Sequence, residues 1–334
     1  MNHCGTRQLD TERLVLRRFV TEDAEAMFRN WASDPEVTKY LTWPAHANVD
    51  VTRAVLKDWT AAYASQNYYQ WAIVLKENGE CPIGSISAVG LNDDLSIVHI
   101  GYCLGQRWWH RGIMSEALKA VIDFFFYEVG ANRIESRHDP RNPHSGMVMQ
   151  KCGMKYEGTL RCSDRNNQGI GMRFACEYPD EINGKTHVSV ITREEWLNEL
   201  TENMIHWAEN KLGSREHAGW CLSFIEDALE KSNGIEIFGG DSAKASALLY
   251  ADGMRQGMPE RGAFVFYDCI CQGPDGPINW GHCGISLRDG RIIHAWDAVR
   301  IDDYREIEAM TALSGDRPRY IGWVPIERVL KQKP

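Results

Sequence analysis

The segment that decides the fold of the first half of the chain spans residues 100–117. It reads Ile100-Gly101-Tyr102-Cys103-Leu104-Gly105-Gln106-Arg107-Trp108-Trp109-His110-Arg111-Gly112-Ile113-Met114-Ser115-Glu116-Ala117. Its opening residues suit a strand, a short turn follows, and apolar side chains then recur at helical spacing. These apolar positions are Met114, Ala117, Leu118, Val121, Ile122 and Phe125. The segment therefore predicts a strand, a turn and the start of a helix.

The predicted helix start is a candidate phosphate site. The first turn of a helix leaves backbone N–H groups unpaired at the positive end of the helix dipole, and both features favour a bound phosphate. Gly112 has no side chain, so a ligand can approach the backbone closely there. Similar turns occur in α/β proteins without any ligand, and the segment by itself leaves both interpretations open.

Length and composition narrow the class of protein. A chain of 334 residues favours two domains over one. The net charge of −9 disfavours a nucleic-acid partner, which would be bound through its phosphates. No apolar run reaches the roughly 18–20 residues of a membrane span, and no apolar signal segment follows the N-terminus. We therefore expect a cytoplasmic protein without a membrane partner, with its ten cysteines as free thiols.

The hydrophobic pattern changes near residue 200. Strands and helices alternate before this point, which predicts a mixed α/β domain over residues 1–200. A helix at residues 193–212 and a second helix from Cys221 are followed by strands only, which predicts helices packed on an antiparallel sheet over residues 201–334. The predicted fold class is α+β with two domains.

Residues 9 to 198 resemble the GNAT family of acetyl-CoA-dependent N-acetyltransferases, in particular its RimJ/RimL-like branch. Many separate pieces occur in the family's order. They are Thr11-Glu12-Arg13-Leu14-Val15-Leu16-Arg17, Gly101-Tyr102, Arg111-Gly112-Ile113-Met114-Ser115-Glu116-Ala117, Asn132-Arg133-Ile134-Glu135, Asn142 with Ser145, Lys151-Cys152-Gly153-Met154-Lys155-Tyr156-Glu157-Gly158 and Arg193-Glu194-Glu195-Trp196. Trp109 and Met114 depart from the general family motif, and the RimJ/RimL-like branch tolerates both.

The GNAT resemblance implies acetyl-CoA as the acetyl donor and assigns roles to residues. Backbone amides would hold the CoA diphosphate at Arg111, Gly112, Ile113, Met114, Ser115 and Glu116. Backbone groups of Ile100, Gly101 and Tyr102 would pair with the pantetheine arm, Asn142 would hold that arm, and Ser145 would protonate the departing thiolate. His99 stands where many relatives carry a glutamate, so it is either the base that deprotonates the amine or an ordinary strand histidine.

Cys221 is the first candidate residue for chemistry in the second half. It lies at the start of a predicted helix, where the dipole and the free N–H groups favour the thiolate. A cysteine on a helix also serves as simple core filling, and position alone does not separate these roles.

His282 and His294 are the second candidates, and they lie in a predicted hairpin. A three-residue loop, Arg288-Asp289-Gly290 with Gly290 left-handed, pairs Leu287 with Arg291. It places the two imidazoles on one face within hydrogen-bonding reach. A two-residue loop would place them on opposite faces, as two unrelated strand histidines.

Residues 203 to 330 resemble the NlpC-type papain-like cysteine peptidases and amidases. The pieces are Gly219-Trp220-Cys221, Pro259-Glu260-Arg261-Gly262-Ala263-Phe264-Val265-Phe266, Gly281-His282 through His294-Ala295, and Tyr320-Ile321-Gly322-Trp323. The resemblance makes Cys221 the nucleophile, His282 the general base and His294 the residue that orients it, with no metal. Cell-wall members often carry Asp-Cys-Ser-Gly, and Trp220-Cys221-Leu222-Ser223 departs from that, which puts the usual diaminopimelyl substrate in doubt. Asp297, Asp302 and Asp303 are expected to be turn and surface acids.

Both resemblances together predict a bifunctional bacterial enzyme. One domain would acetylate a primary amine of a small molecule or a peptide N-terminus, and the other would cleave or transfer an amide through a cysteine thioester. Two alternatives stay open: an acetyltransferase whose inactive C-terminal domain recognises the substrate, and a non-enzymatic CoA-responsive binding protein. The oligomeric state is not predicted.

Overall fold

The computed structural model describes residues 1–160, 186–273, 276–312 and 316–331. The chain forms two compact units, Met1–Arg193 and Glu194–Pro334, which are called the N-terminal unit and the C-terminal unit. The sequence-predicted boundary at residue 200 falls inside the helix α6 (Arg193–Glu209), with which the C-terminal unit begins. The polar segment 162–185, for which no element was predicted, lies outside the described residues.

An eight-stranded sheet organises the N-terminal unit, in the order β1-β2-β3-β4-β5-β6-β8-β7. Its strands are β1 (Leu9–Asp10), β2 (Leu14–Arg17), β3 (Gln70–Leu75), β4 (Pro82–Asn92), β5 (Ile97–Leu104), β6 (Arg133–His138), β7 (Lys155–Leu160) and β8 (Thr186–Thr192). Its helices are α1 (Ala24–Met27), α2 (Pro35–Thr38), α3 (Val49–Ala62), α4 (Ile113–Phe124) and α5 (Pro143–Lys151). The mixed α/β class predicted for this half is confirmed.

The core of the N-terminal unit forms where apolar faces of α4 and the sheet meet. Trp71 on β3 and Phe124 on α4 are buried, and their rings pack edge to face with centroids 5.5 Å apart. Burying one such aromatic side chain is worth about 1.5–3 kcal/mol relative to leaving it exposed. This packing fixes α4 against the sheet and with it the position of the helix start.

The central strands β5 and β6 run parallel and separate partway along. They pair from Ile97 with Arg133 to Ile100 with Ser136. Beyond that register β5 continues to Leu104 and β6 to His138. The sheet therefore opens at this point, and the opening faces the turn that leads into α4.

The C-terminal unit contains a five-stranded antiparallel sheet in the order β14-β13-β12-β9-β15 and a separate hairpin of β10 and β11. The strands are β9 (Phe264–Asp268), β10 (Ile270–Gly273), β11 (Gly276–Asn279), β12 (His282–Ser286), β13 (Arg291–Ala295), β14 (Val299–Asp303) and β15 (Arg319–Val324). Besides α6, the helices are α7 (Cys221–Asn233), α8 (Ala243–Leu249) and α9 (Ile326–Leu330), and α7 packs on β12 and β13.

The structure corrects the prediction that only strands follow α7. Two short helices, α8 and α9, were missed because seven and five residues are too few for a clear helical period. The strand β14 pairs with β13 along its whole length and forms one edge of the sheet. In the part of the chain that the structure describes, no helix is both long and apolar enough to cross a bilayer.

Candidate active sites

The start of α4 has the geometry of an anion site. Gly112 precedes the helix with φ of 74°, and His110 also has a positive φ, 62°. Left-handed backbone at Gly112 turns the chain sharply, so that the amides of the first helical turn point outward together. The amide of Glu116 already donates to the Gly112 carbonyl at 3.1 Å. The prediction that the Glu116 amide is free to hold a ligand is therefore wrong, because this N–H already donates within the helix.

The Glu116 side chain instead ties the helix start to the turn before β2. One carboxylate oxygen accepts hydrogen bonds from Thr11 Oγ1 at 2.6 Å and from the Arg13 amide at 2.9 Å. The other oxygen accepts from Arg13 Nε at 2.7 Å. Burial would raise the pKa of Glu116, but these hydrogen bonds outweigh burial and hold the pKa below its ordinary value. Arg13 also donates to the Arg111 carbonyl at 3.1 Å, which fixes the turn before Gly112.

A cavity of about 680 Å³ lies in front of this helix start. Predicted site residues that line it are Tyr102, Arg111, Gly112, Ile113, Met114, Ser115, Asn142 and Ser145. His99, Ile100, Gly101 and Glu116 are not among its lining residues. Its charged lining residues are Glu36, Lys39, Arg111, Arg137, Asp139, Arg141 and Lys151. Five cations against two acids make the cavity suitable for an anion although the whole chain is acidic.

The opening between β5 and β6 forms one wall of the cavity. Tyr102 lies on β5 beyond the last pair with β6, so its backbone is on the free edge of the strand. Ile100 is different, because its carbonyl accepts a hydrogen bond from Ser136 Oγ at 2.8 Å. The free edge predicted from Ile100 onward therefore begins only after Ile100.

Tyr102 and Ser145 form a hydroxyl pair beside this edge. Ser145 Oγ donates to the Tyr102 hydroxyl at 3.1 Å, and that hydroxyl donates to the Ser145 carbonyl at 3.0 Å. Burial raises the pKa of the Tyr102 phenol, which therefore keeps its proton. The structure thus joins two residues that the sequence placed in separate roles. Asn142 precedes α5, and its carbonyl accepts from the Ser145 amide at 3.2 Å.

The predicted base His99 does not reach the cavity. It lies on β5, where side chains alternate, on the face opposite Tyr102. A different imidazole, His138 at the end of β6, does line the cavity. Burial and the nearby His187 lower the pKa of His138 to about 4, so it is neutral at pH 7. The sequence analysis missed His138, although its place at the end of β6 was a usable signal.

In the C-terminal unit the predicted hairpin register is confirmed. Ile285 pairs with Ile293, and the Leu287 amide donates to the Arg291 carbonyl at 2.8 Å. Gly290 is left-handed with φ of 87°, as predicted, and Arg288 also has a positive φ, 98°. The three-residue loop therefore brings both imidazoles to one face.

His282 and His294 are buried and bonded to each other. His282 is 3% exposed and His294 0%, and His282 Nε2 lies 2.8 Å from His294 Nδ1. The other nitrogen of His294, Nε2, lies 3.0 Å from Asp302 Oδ2. Burial and the neighbouring His282 lower the pKa of His294 to about 3, so this ring is neutral.

The thiol of Cys221 adjoins the other side of His282. Its pKa is lowered well below the ordinary value by a hydrogen bond with the Cys283 thiol and by the charge and hydrogen bond of the His282 ring. Burial raises the pKa of Cys283, so this neighbour stays a thiol that donates to Cys221. Since His282 Nε2 contacts His294, Nδ1 is the nitrogen left for Cys221.

Asp302 is a correction to the sequence analysis, which expected a surface acid. It lies on β14, and the register that pairs His294 with Arg300 turns Asp302 toward the His294 ring. Arg300 Nη2 donates to its second oxygen at 2.9 Å. Burial would raise the pKa of Asp302, but the bonds from Arg300 and His294 hold it below the ordinary value.

The residues that the structure describes include eight cysteines, and all eight are free thiols. No group of three or more His, Cys, Asp or Glu side chains among residues 1–160, 186–273, 276–312 and 316–331 is arranged to hold a metal ion.

Comparison with known proteins identifies relatives of the N-terminal half. Residues 13–155 match the family described as Acetyltransferase (GNAT) domain. The chain is 33% identical over 153 residues to the uncharacterized N-acetyltransferase p20 of Bacillus licheniformis, covering 46% of this chain and 85% of that protein. It is 29% identical to the uncharacterized N-acetyltransferase YoaA of Bacillus subtilis, with the same coverage. A solved acetyltransferase of the GNAT family from Bacillus anthracis is 22% identical, with a TM-score of 0.46, over 56% of this chain and 99% of that chain.

Proposed function

Because this chain belongs to the GNAT family of acetyltransferases, we propose that its N-terminal unit transfers acetyl from acetyl-CoA to a primary amine of a small molecule or a peptide N-terminus. The observation that carries this proposal is the cavity in which the first turn of α4, the free edge of β5 and the Tyr102–Ser145 pair meet. Acetyl-CoA supplies the activated acetyl group when bound. Since this donor is a cytoplasmic metabolite, we also propose a cytoplasmic site of action.

The residues around the cavity suit a CoA ester. A methyl group built on Gly112 would meet only Arg13 Nη2, at 3.6 Å, so the backbone at the helix start is open to a ligand. A diphosphate fits such a helix start because N–H donors and dipole act together. The free edge at Tyr102 offers backbone groups to an extended amide arm, as a neighbouring strand would. Asn142 lies beside that edge and lines the same cavity.

Neutral side chains donate and accept the protons in the proposed reaction. Ser145 Oγ donates to the Tyr102 hydroxyl, so the two hydroxyls form one hydrogen-bonded pair that can give a proton to the departing thiolate. The proton that the attacking amine releases then restores the pair. His138 lines the cavity, as do His110 and His144, and because it is neutral at pH 7 it can accept the proton that the amine releases as its nitrogen attacks the thioester. We therefore assign the base role to His138 rather than to His99.

An acceptor screen tests the acetyltransferase. The full chain is incubated with acetyl-CoA and a panel of small amines and peptide N-termini. The mass of each amine is then measured by mass spectrometry. We expect a gain of one acetyl group on at least one amine class and a matching release of free CoA. CoA binding without any acetylated amine across the panel would instead support the non-enzymatic CoA-responsive protein.

A second function is proposed for the C-terminal unit, on the contact of Cys221 with His282. In this proposal the Sγ proton of Cys221 passes to His282 Nδ1, and the thiolate adds to an amide carbonyl. The proton then moves to the departing amine as the C–N bond breaks, and water hydrolyses the thioester to an acid and the free thiol. The burial of His282 and the lowered pKa of Cys221 support this NlpC-type, papain-like chemistry.

Selective alkylation tests the thiol chemistry. Iodoacetamide is added to the native full chain at pH 7, and modified peptides are quantified by mass spectrometry. Cys221 is expected to react faster than the other cysteines because it is held as thiolate. Cys283, a buried neighbour on the strand β12, is the internal control. Equal reactivity of Cys221 and the ordinary thiols would favour an inactive C-terminal unit that serves recognition.

A further inference from the structure

Asp302, His294 and His282 form a continuous chain of hydrogen bonds that ends at Cys221. The distances are 3.0 Å from Asp302 Oδ2 to His294 Nε2 and 2.8 Å from His294 Nδ1 to His282 Nε2. Both rings are buried, so water cannot compete for these nitrogens. A buried neutral imidazole carries one proton, and its partners decide which nitrogen holds it.

The direction of every bond in this chain follows from Asp302. A carboxylate only accepts, so His294 Nε2 must carry the hydrogen and His294 Nδ1 must offer a lone pair. His282 Nε2 must then donate to that lone pair. His282 Nδ1, the nitrogen nearest Cys221, is left with a free lone pair. We infer that Asp302 is a positioning residue that sets the tautomer of both imidazoles and so makes His282 Nδ1 the proton acceptor for Cys221.

The same arrangement also suits the state after proton transfer. An imidazolium at His282 carries hydrogens on both nitrogens, and its Nε2–H still donates to His294 Nδ1. With the opposite tautomer of His294, two N–H groups would face each other inside the protein, and the imidazolium would be destabilised. Asp302 therefore favours the thiolate–imidazolium pair through two rings, without touching the thiol.

Arg300 completes the arrangement by holding Asp302 in place. It donates to both carboxylate oxygens of Asp302, through Nε and Nη2. Arg300 lies directly opposite His294 in the β13–β14 register, two residues before Asp302. Other titratable groups around this chain are Cys283, Glu226 and Cys269 near Cys221, and Tyr267, whose ring centroid is 6.0 Å from that of His282.

This inference rests on the thiol chemistry proposed for Cys221, and its test separates the two. The rate constant for alkylation of Cys221 is measured between pH 4 and pH 10 in the full chain, in Asp302→Ala and in Asp297→Ala. Asp297 is the matched control, because it also pairs with Arg300, at 3.8 Å, but is not bonded to His294. We expect Asp302→Ala to move the reactivity profile to higher pH and to slow alkylation at pH 6 at least tenfold, with Asp297→Ala unchanged.

Each outcome of this experiment has a distinct meaning. A reactive wild-type Cys221 with an unmoved profile in Asp302→Ala overturns the inference and leaves the proposed thiol chemistry standing. A wild-type Cys221 no more reactive than Cys283 overturns the thiol chemistry itself. Should Asp302→Ala fail to fold, imidazole 15N NMR of the wild-type chain, assigned with His282→Gln and His294→Gln, decides the matter. An Nε2–H tautomer is expected at His294, and an Nδ1–H tautomer at that ring contradicts the inference.

Discussion

Glu116 Oε1 lies 2.6 Å from Thr11 Oγ1, which joins the first turn of α4 to the turn that precedes β2. Because Arg13 is held by the same carboxylate and reaches the Arg111 carbonyl, these contacts fix the turn that we propose binds CoA. We predict that Glu116→Ala raises the dissociation constant for CoA about tenfold, or about 1.4 kcal/mol. Calorimetric titration measures this change.

Glu128 provides the control for Glu116, since it also pairs with an arginine, Arg7, but beyond the far end of α4. Glu128→Ala should leave CoA affinity unchanged. Equal affinities of Glu116→Ala and the wild type would show that the turn does not need this support.

Gly112→Ala tests the left-handed backbone at the helix start. With φ of 74°, any residue other than glycine is strained there by about 1–2 kcal/mol. We expect lower thermal stability and weaker CoA binding, because the turn relaxes and the amides of the first helical turn lose their common direction. Gly130→Ala is the matched control, with a left-handed φ of 76° and open space around it. It should lose stability but keep CoA affinity; if both variants bind CoA like the wild type, the helix start is not the diphosphate site.

Ser145→Ala and Tyr102→Phe test the hydroxyl pair as one proton donor. Each variant should lower kcat for acetyl transfer by roughly 10²-fold, the low end for general acid catalysis, while CoA affinity stays close to that of the wild type. The double variant should be no slower than the slower single one, because both hydroxyls belong to one hydrogen bond. Multiplicative losses in the double variant would show that the two groups act separately.

His138→Ala and His99→Ala compare the two candidate bases. His138 lines the cavity and is neutral at pH 7 because its pKa is lowered to about 4. We expect His138→Ala to reduce kcat at least tenfold and His99→Ala to have a small effect. Rates measured with one amine from the acceptor screen decide this, and the reverse order would restore His99 to the role that the sequence suggested.

Glu226→Gln tests a partly buried acid on α7. Burial first, then Glu230, Asp227 and Cys221, raises the pKa of Glu226 from 4.5 to about 7. The folded state therefore binds more protons than the unfolded state between these values, and stability falls as pH rises through that window. Glu226→Gln should flatten the loss of melting temperature between pH 5 and pH 8, whereas Glu236→Gln, at an exposed position, should not. A wild-type melting temperature that rises over this interval would contradict the raised pKa.

Local geometry explains which parts of the sites could be predicted from sequence. The His282–His294 contact follows from loop length and strand alternation, so counting residues was enough. The place of Gly112 at the helix start could likewise be predicted from its neighbours in the sequence. Asp302 could not be found this way, because its role depends on the pairing of β14, a strand with only one strongly apolar position facing the core. The bond between Tyr102 and Ser145 joins residues 43 apart, and only the packing of α5 on β6 brings them together.

The central claim is that two separate chemistries reside in one chain, one at the cavity before α4 and one at Cys221. The most direct test is mass spectrometry of a cytosolic peptide extract after incubation with acetyl-CoA and the wild-type chain, Ser145→Ala or Cys221→Ala. The account predicts that Ser145→Ala strongly reduces acetylation and keeps amide cleavage, and that Cys221→Ala does the reverse. An extract that the wild-type chain leaves without acetylated or cleaved products, or a loss of both products in either variant, would contradict it.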